Sequence, residues 1–364
     1  MPYFMDLHVV PGITPEMVAA AHNEDIKVQD EFGCRCATYW VDVESERAFC
    51  LIEAPNREAI NKMHRKSLGV EPLEVIEVTE NLVSSFLGRV KDPETFYIEG
   101  NTDLKVFNDP AFRIVLVTEI NNKRLLELKY GKTVTLQFFE DYRKTIKKAV
   151  KNSGGQEVKG EQYVISFTSV FQAVDCALSI KKGLKESLKN MGLKISLHAG
   201  LPVAEDKSLF GEVVKFARFI ANTGEEKQII LSPIIRELYK KEYEDLMKEK
   251  GIKCINHSEE NFIKQLMDTL QENWQNSDFS ITDFCSAMSM SKSQFFRRSK
   301  TITGKSPNAL LQEYRLQKSL GFLNQPDRNI SQTAFDSGFN SLSYFTKCFR
   351  KRFGIQPTAF LKKA

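Results

Sequence analysis

Two groups of basic, amide and hydroxyl side chains lie near the end of the chain, and their chemistry suits a polyanion with readable edges. Gln and Arg can make two hydrogen bonds to a purine edge, and Lys and Arg displace the cations condensed on phosphates. The first group is Lys292, Ser293, Gln294, Arg297 and Arg298, and the second is Asn340, Ser341, Ser343, Lys347, Arg350 and Lys351. With Gln294 and Arg297, the first group is expected to discriminate base sequence, whereas the second suits phosphate contact.

A repeated segment positions the two groups. The tetrapeptide Gly304-Lys305-Ser306-Pro307 returns as Gly354-Ile355-Gln356-Pro357, 50 residues later. Each copy follows a short stretch of aromatic and basic residues with helical spacing. Such a period suits one helix-turn-helix unit and its connector, and residues 307–323 are predicted to form a helix that links the two units.

Each unit is predicted to contain a supporting helix, a turn and a capped second helix. Ser280 opens a Ser-x-x-Asp helix start, and Ser291 can cap the following helix, on which Phe295 and Phe296 are expected to face the core. The second unit has matching parts, with Asn340 or Ser341 as the cap and Tyr344, Phe345, Cys348 and Phe349 as the apolar stripe.

Charge is distributed unevenly along the chain. Residues 291–364 contain fourteen Lys and Arg and three acids, a net charge of +11, whereas the whole chain carries +4, so the remainder carries −7. A basic end on an acidic body is typical of proteins that bind nucleic acid through its phosphates. The alternative is a basic surface that is merely solvated.

The second unit contains residues that mark a known family. They are Ile330, Ala334, Gly338, Phe339, Phe345, Phe349, Arg350, Gly354 and Pro357. Through them residues 259–364 resemble the AraC/XylS family of transcription regulators, although Thr333 stands where that family usually has an apolar residue. The resemblance implies two helix-turn-helix units that enter successive major grooves on one face of double-stranded DNA. A helical bundle without a DNA role is the alternative.

Residues 111–242 are predicted to run strand, helix, strand, strand, helix, strand, a ferredoxin-like layout. Gly154-Gly155, Gly160-Glu161, His198-Ala199-Gly200 and Phe210-Gly211-Glu212 are among the segments that give this region a resemblance to class III nucleotidyl cyclases. The resemblance implies two metal-binding Asp residues and an Asn and an Arg that steady the ribose and the phosphates.

This region departs from the cyclase pattern at the positions that carry the chemistry. Glu119 and Glu161 stand in place of the two Asp, and Lys215 and Phe219 stand in place of the Asn and the Arg. The extra methylene of Glu moves a carboxylate by about 1 Å, which the strict octahedral shell of Mg²⁺ tolerates poorly. We therefore expect no enzyme activity and a role in dimerisation or effector sensing. The alternative is an active cyclase with an attached DNA-binding domain.

Residues 1–87 are predicted to form another ferredoxin-like domain, and they contain candidate metal ligands. The candidates are His8, His22, Cys50 and His64. With Met5-Asp6, Pro11-Gly12 and Tyr39-Trp40, they give the region a resemblance to a family of small bacterial proteins, one of which binds nickel. Imidazole and thiolate suit Ni²⁺ and Zn²⁺. Leu68 stands where the family often has a second His, and the alternative is that the four are ordinary sheet and helix residues.

The whole chain is predicted to be a multidomain protein with two α+β ferredoxin-like domains followed by an all-α tandem helix-turn-helix domain. Its 364 residues suit two or three domains, and residues 88–110 and 243–258 are expected to be linkers. Seven scattered cysteines, the lack of an export signal and the lack of an apolar run of about 20 residues favour a cytoplasmic protein without a membrane segment.

These features predict a DNA-binding transcription regulator of AraC type. Its expected partners are double-stranded DNA, a second copy of the chain in a homodimer, RNA polymerase and an unidentified small-molecule effector. A homodimer is expected because each ferredoxin-like layout leaves one sheet face to be covered. A metal-responsive regulator is a further alternative.

Overall fold

The computed structural model describes three regions that follow one another along the chain. The described residues are 1–98, 104–159, 163–184, 192–203, 208–224, 228–239, 244, 246 and 248–361. Two regions mix strands with helices and the third is helical, which confirms a multidomain chain with an α/β front and an all-helical end. None of the helices in these residues is both long enough and apolar enough to cross a bilayer.

The first region is an antiparallel sheet with two helices on one face. Its elements are β1 (Tyr3–Val9), α1 (Pro15–Val28), β2 (Arg35–Asp42), β3 (Arg47–Glu53), α2 (Arg57–Ser67), β4 (Glu74–Val78) and α3 (Glu80–Leu87). The strands lie in the order β2, β3, β1, β4. Thr14 and Asn56 cap α1 and α2 through their side chains. Because alternate strand residues point to opposite faces, Phe4 and Ile52 pack against the helices, with Val18 and others.

The second region covers the opposite face of this sheet. Met5, Leu51 and Ile76 share one buried cluster with Val115 of the second region, and the rings of Phe86 and Phe210 stack 4.5 Å apart. The face of each sheet that was expected to be open is thus covered by the other region of the same chain. The physical reason for which a homodimer was predicted therefore does not hold, since neither face is left for another copy to cover.

The described parts of the predicted linker 88–110, residues 88–98 and 104–110, pack closely against the first region. Strands β5 (Tyr97–Ile98) and β6 (Lys105–Val106) pair, and Phe107 stacks on Tyr39 with ring centroids 4.0 Å apart. The Arg89 guanidinium bonds Asp109 at 2.8 Å and lies 4.4 Å from the centre of the Trp40 ring. The described part of this segment therefore covers the core of the first region, with Val106 and Phe107 buried in it.

The described residues of the second region form a six-stranded sheet. Its elements are β7 (Arg113–Glu119), α4 (Lys123–Tyr130), α5 (Lys132–Ser153), β8 (Gln156–Glu157), β9 (Val164–Phe167), α6 (Val170–Gly183), β10 (Lys194–Gly200), α7 (Gly211–Thr223), β11 (Ile229–Leu231), α8 (Pro233–Tyr239) and β12 (Ile252–Cys254). The strands lie in the order β12, β11, β10, β7, β9, β8. Strand β12 falls within residues 243–258, so part of that predicted linker belongs to the sheet, where it pairs in parallel with β11.

The third region consists of seven helices among the described residues. They are α9 (His257–Asn273), α10 (Ile281–Ala287), α11 (Lys292–Thr303), α12 (Pro307–Leu323), α13 (Ile330–Asp336), α14 (Leu342–Phe353) and α15 (Pro357–Leu361). Asn256, Ser280, Ser291 and Asn329 each form a reciprocal capping box, so the sequence specifies where α9, α10, α11 and α13 begin.

The helical region packs on the second region at both of its ends. Phe216 and Ile220 of α7 share a core with Phe262 of α9 and Phe295 of α11. At the other end, Leu125 of α4 packs against the cluster around α14 and α15. Burial of this apolar surface stabilises the contact between the helical region and the second region.

Helix α12 joins the two halves of the helical region. The guanidinium of Arg315, on α12, donates to the carbonyl oxygen of Trp274 at 2.7 Å and to that of Asn276 at 2.6 Å, just after the end of α9. Gly338, which follows α13 with φ +77°, lies against the same Trp274 carbonyl. Gln275 also donates to the Asp336 carbonyl at 3.2 Å. The end of α9 is therefore tied to the turn of the second unit.

Gly338→Ala is expected to destabilise the helical region. A Cβ there would overlap the Trp274 carbonyl oxygen and the Arg315 guanidinium, in a backbone conformation that already disfavours L-residues, so the cost should be roughly 3 kcal/mol. The measurement is amide hydrogen exchange of α12 to α14 in the full chain.

Gly304→Ala is the matched control. Gly304 has a similar φ of +71°, but nothing lies within 4 Å of the added Cβ, so only the backbone term of about 1 kcal/mol should be lost. Equal effects of the two substitutions would contradict the close approach at Gly338.

Candidate nucleic-acid interface

Helices α10 and α11 form the first helix-turn-helix unit. The turn between them passes through Ser289, whose φ of 51° lies in the left-handed region, and Ser291 then caps α11. Phe284, Met288 and Phe295 are buried in the core of this unit. The buried side of α11 is thereby fixed, and its opposite side faces solvent.

The first predicted group divides between solvent and local contacts. Lys292, Ser293, Gln294 and Arg297 are exposed, but the Gln294 side-chain oxygen accepts from the Ser291 N–H at 3.2 Å and so belongs to the capping box. Arg298 turns away from that face, because its guanidinium donates to the Ser258 carbonyl at 2.7 Å and to its hydroxyl at 2.6 Å. The prediction that Phe296 faces the core is wrong, since this ring is 54% exposed.

Helices α13 and α14 form the second unit. Of the two predicted caps, Ser341 accepts from the Tyr344 N–H, while Asn340 is exposed in the turn. Phe345, Cys348 and Phe349 are buried, but Tyr344 is exposed, and its hydroxyl accepts from the Gln312 amide at 3.0 Å. The exposed side of α14 borders a shallow groove lined by Leu342, Ser343, Thr346, Lys347, Arg350, Lys351 and Gln356.

The basic run that follows in the second unit is only partly directed to solvent. Lys347, Arg350 and Lys351 are exposed, whereas the Arg352 guanidinium donates to the Glu313 carboxylate of α12 at 2.7 Å. Burial alone would raise the pKa of Glu313, but the hydrogen bond and charge of Arg352, the charge of Lys305 and a hydrogen bond from Gln317 together lower that pKa. Arg352 thus ties α14 to α12.

The four cyclase-like positions do not form a metal site among the described residues. The Glu119 carboxylate accepts from the Arg218 guanidinium at 2.7 Å, and burial raises its pKa although Arg218 acts in the opposite direction. Phe219 packs against the core between α7 and α9, and Glu161 lies outside the described residues. Lys215 lines a cavity near the other end of the sheet, away from Glu119.

That cavity of about 1350 Å³ lies where the three regions meet. Its walls include Asp42 of the first region, His198 and Lys215 of the second and Lys264 of α9. Burial, with a smaller contribution from Lys264, lowers the pKa of His198 to about 3, so the imidazole is neutral, and its Nδ1 lies 2.9 Å from the Ser232 hydroxyl. Acids and bases both line the cavity, so its charge selects neither anions nor cations.

A buried cluster of imidazoles and carboxylates lies between the sheet and the helices of the first region. His64 Nε2 is 2.8 Å from Asp6 Oδ2, and its Nδ1 is 3.1 Å from Asp25 Oδ1. Asp6, His8 and His64 offer ligand atoms that all lie within 4.8 Å of one another. His8 Nε2 is buried and has no hydrogen-bond partner among the described residues.

Electrostatics hold this cluster as an ion pair. Burial disfavours the charged form of His64, but the hydrogen bonds of Asp25 and Asp6 outweigh it and raise its pKa to about 10. Burial would likewise raise the pKa of Asp6, yet His8 and His64 hold it far below its usual value.

His22 and Cys50 are also buried, but within the described residues they fall outside the close group of three. Asp6, not predicted as a ligand, takes the central place.

Comparison with known proteins identifies the two ends of the chain. Residues 284–363 match the model of a helix-turn-helix domain family, and residues 4–78 match that of the family described as nickel responsive protein SCO4226-like. The resemblances proposed for these ends are thereby confirmed. Residues 284–363 are thus similar to AraC-type helix-turn-helix domains, and residues 4–78 are similar to the SCO4226-like family.

Individual relatives match a limited part of the chain. Histidine kinase P4 of Formosa agariphila is 31% identical over 29% of this chain and 8% of its own length, and the HTH-type regulator YdeC of Bacillus subtilis is 33% identical over 22% and 28%. An AraC-type regulator structure from Chromobacterium violaceum aligns with 29% of this chain and 94% of its own, at 24% identity and a TM-score of 0.27. The chain spans under a third of the length of the two sequence relatives.

Proposed function

We propose that the whole chain is a sequence-specific, DNA-binding transcription regulator whose helices α11 and α14 enter successive major grooves. The observation that carries this proposal is the pair of capped helices with exposed basic sides, joined through α12 in one helical body. Recognition helices of this class present their early residues to base edges. Both units lie in one chain, so a single copy offers two groove contacts and a homodimer is not needed for them.

The roles within the interface follow from which side chains are held locally. Ser293 and Arg297 are the polar residues of α11 that we assign to base edges, with Arg297 suited to guanine. Lys347, Arg350 and Lys351 suit phosphates. Gln294 and Arg298 have structural roles, because Gln294 completes a capping box and Arg298 donates a hydrogen bond to Ser258.

The double variant Arg297→Ala and Lys347→Ala is expected to lower affinity for a selected DNA site by at least tenfold at physiological salt. The loss combines one base contact of about 1–3 kcal/mol with one phosphate contact, whose removal should reduce the salt slope of binding by about one. Titration of a labelled duplex at several salt concentrations measures both quantities.

The matched control is Lys147→Ala with Lys148→Ala on the exposed side of α5, which removes the same charge elsewhere. It should leave affinity within about twofold, since neither lysine belongs to the exposed sides of α11 and α14 and only long-range attraction is lost. If both variants weakened binding equally, net charge alone would account for the affinity, and the assigned interface would be contradicted.

The two α/β regions are proposed to be ferredoxin-like domains that sense an effector and have no cyclase activity. The strand order β2, β3, β1, β4 supports this layout for the first, and β10, β7, β9, β8 repeats it in the second. The ion pair of Glu119 with Arg218 and the apolar Phe219 speak against a metal-dependent phosphoryl transfer site. An ion pair in place of a free carboxylate leaves a metal one ligand short.

A metal-responsive role is favoured by the buried cluster of the first region. Asp6, His8 and His64 would hold Ni²⁺ or Zn²⁺, because imidazole nitrogen and carboxylate oxygen suit both ions and the Nε2 of His8 makes no hydrogen bond within the part of the chain that the structure describes. His64 must release its proton to act as a ligand, so binding competes with the ion pair that the cluster now makes. The ion would supply charge that organises this part of the sheet.

His8→Ala is expected to abolish binding of one Ni²⁺ per chain, measured by equilibrium dialysis and elemental analysis of the purified full chain. His8 is chosen because its Nε2 makes only a 3.6 Å contact with Asp6 and no hydrogen bond among the described residues, whereas removal of His64 would strand two buried carboxylates. The control is His257→Ala, which removes an exposed imidazole outside the cluster. Nickel retained equally by both variants, or absent from the wild type, would exclude this site.

A further inference from the structure

The exposed face of α11 contains an aromatic ring that lies outside the hydrophobic cores formed by the described residues. Phe296 is 54% exposed, whereas its neighbour Phe295 is fully buried. Phe296 belongs to none of the hydrophobic clusters that the described residues form. An exposed ring of this size leaves a large apolar area in water, a cost that a binding partner could remove.

Phe296 lies on the same face as the polar residues assigned to DNA. At about 100° per residue, Ser293, Phe296, Arg297 and Lys300 fall within an arc of about 100° on the side opposite Phe295. All four are exposed. A duplex bound through Ser293 and Arg297 would therefore meet the ring of Phe296 as well.

The second unit identifies this face independently. With the 50-residue offset of the repeat, Ser343, Thr346, Lys347 and Arg350 occupy the positions of Ser293, Phe296, Arg297 and Lys300. These four residues of α14 line one shallow groove. Phe296 thus occupies a groove-facing position at which the second unit has the smaller Thr346.

We propose that Phe296 makes the first unit specific for a thymine by packing against its 5-methyl group in the major groove. This methyl group is the apolar feature of an A·T pair on that edge, and Phe is among the side chains that contact it. Gln294 and Arg298 are held by Ser291 and Ser258, so the apolar ring carries a share of the discrimination that those polar residues were expected to supply. The inference rests on the proposed DNA-binding function.

The test uses the full chain and the best site selected from random duplex DNA. Each thymine of the half-site bound by the first unit is replaced in turn by deoxyuridine, which removes only the methyl group. One replacement is expected to weaken binding about fourfold, the factor that corresponds to ~0.8 kcal/mol for one buried methyl group. Phe296→Ala should weaken binding to the thymine site and abolish the difference between the two duplexes.

Phe335→Ala provides the matched control. Phe335 lies on the supporting helix α13 and is 53% exposed, so its removal takes away an equally exposed ring outside the proposed contact. This variant should retain the fourfold effect of deoxyuridine, and Phe296→Leu should retain part of it because an apolar contact remains.

The outcomes separate this inference from the proposed function. A chain that selects no sequence would contradict DNA-specific regulation itself. A chain that selects a site but shows no deoxyuridine effect, or shows an equal effect in the wild type and in Phe296→Ala, would overturn the role of Phe296 and leave the DNA-binding function standing. Circular dichroism of both Phe variants should match the wild type, since neither ring is buried.

Discussion

The hydrogen bonds of Arg315 to the end of α9 are the interaction on which the arrangement of the two helix-turn-helix units depends. The guanidinium projects from the shared helix α12 and satisfies the carbonyl oxygens of Trp274 and Asn276. Hydrogen bonds to a charged donor contribute about 1.5–3 kcal/mol each. Gly338 allows the backbone of the second unit to approach the same carbonyl, so α9, α12 and the second unit meet at one point. The recognition helices of the two units therefore move together as parts of one body.

A shared core gives the front of the chain a physical connection to this body. Phe216 and Ile220 of α7 pack with Phe262 of α9, and Lys253 of β12 donates to the Ile302 carbonyl at the end of α11, at 3.1 Å. Close-packed interiors do not deform continuously. A shift of α7 must consequently be accommodated by α9, the helix whose end Arg315 holds. An effector bound between the regions would act on DNA binding by this route.

Local rules made the helical region largely predictable from the sequence. Capping residues such as Ser280 and Ser291 mark helix starts because their side chains bond nearby N–H groups, and the Gly-x-x-Pro repeat defines two units. The fate of individual side chains was less predictable. Arg298 bonds Ser258, 40 residues earlier, and Phe296 is exposed although its neighbour is buried. Helical spacing identified a face but did not determine which long side chain finds a distant partner.

In the α/β regions, too, contacts between distant residues could not be predicted from the sequence. Strand and helix order followed from periodicity, but the cover of each open sheet face depends on contacts between residues far apart, such as Phe86 with Phe210. The packing of Phe107 on Tyr39 within a predicted linker is another such contact. In the buried cluster of Asp6, His8 and His64, the two imidazoles were predicted from the sequence as metal ligands. The position of Asp6 between them became evident only from its distance to both rings.

The central claim is that one chain reads two successive major grooves through two units held as one body. The most direct measurement is a methylation-interference map of guanine N7, a major-groove atom, on a selected site with the full chain at one copy per duplex. The account predicts two clusters of interference about one helical turn apart on one face of the DNA. A single cluster, or two clusters on opposite faces, would contradict it.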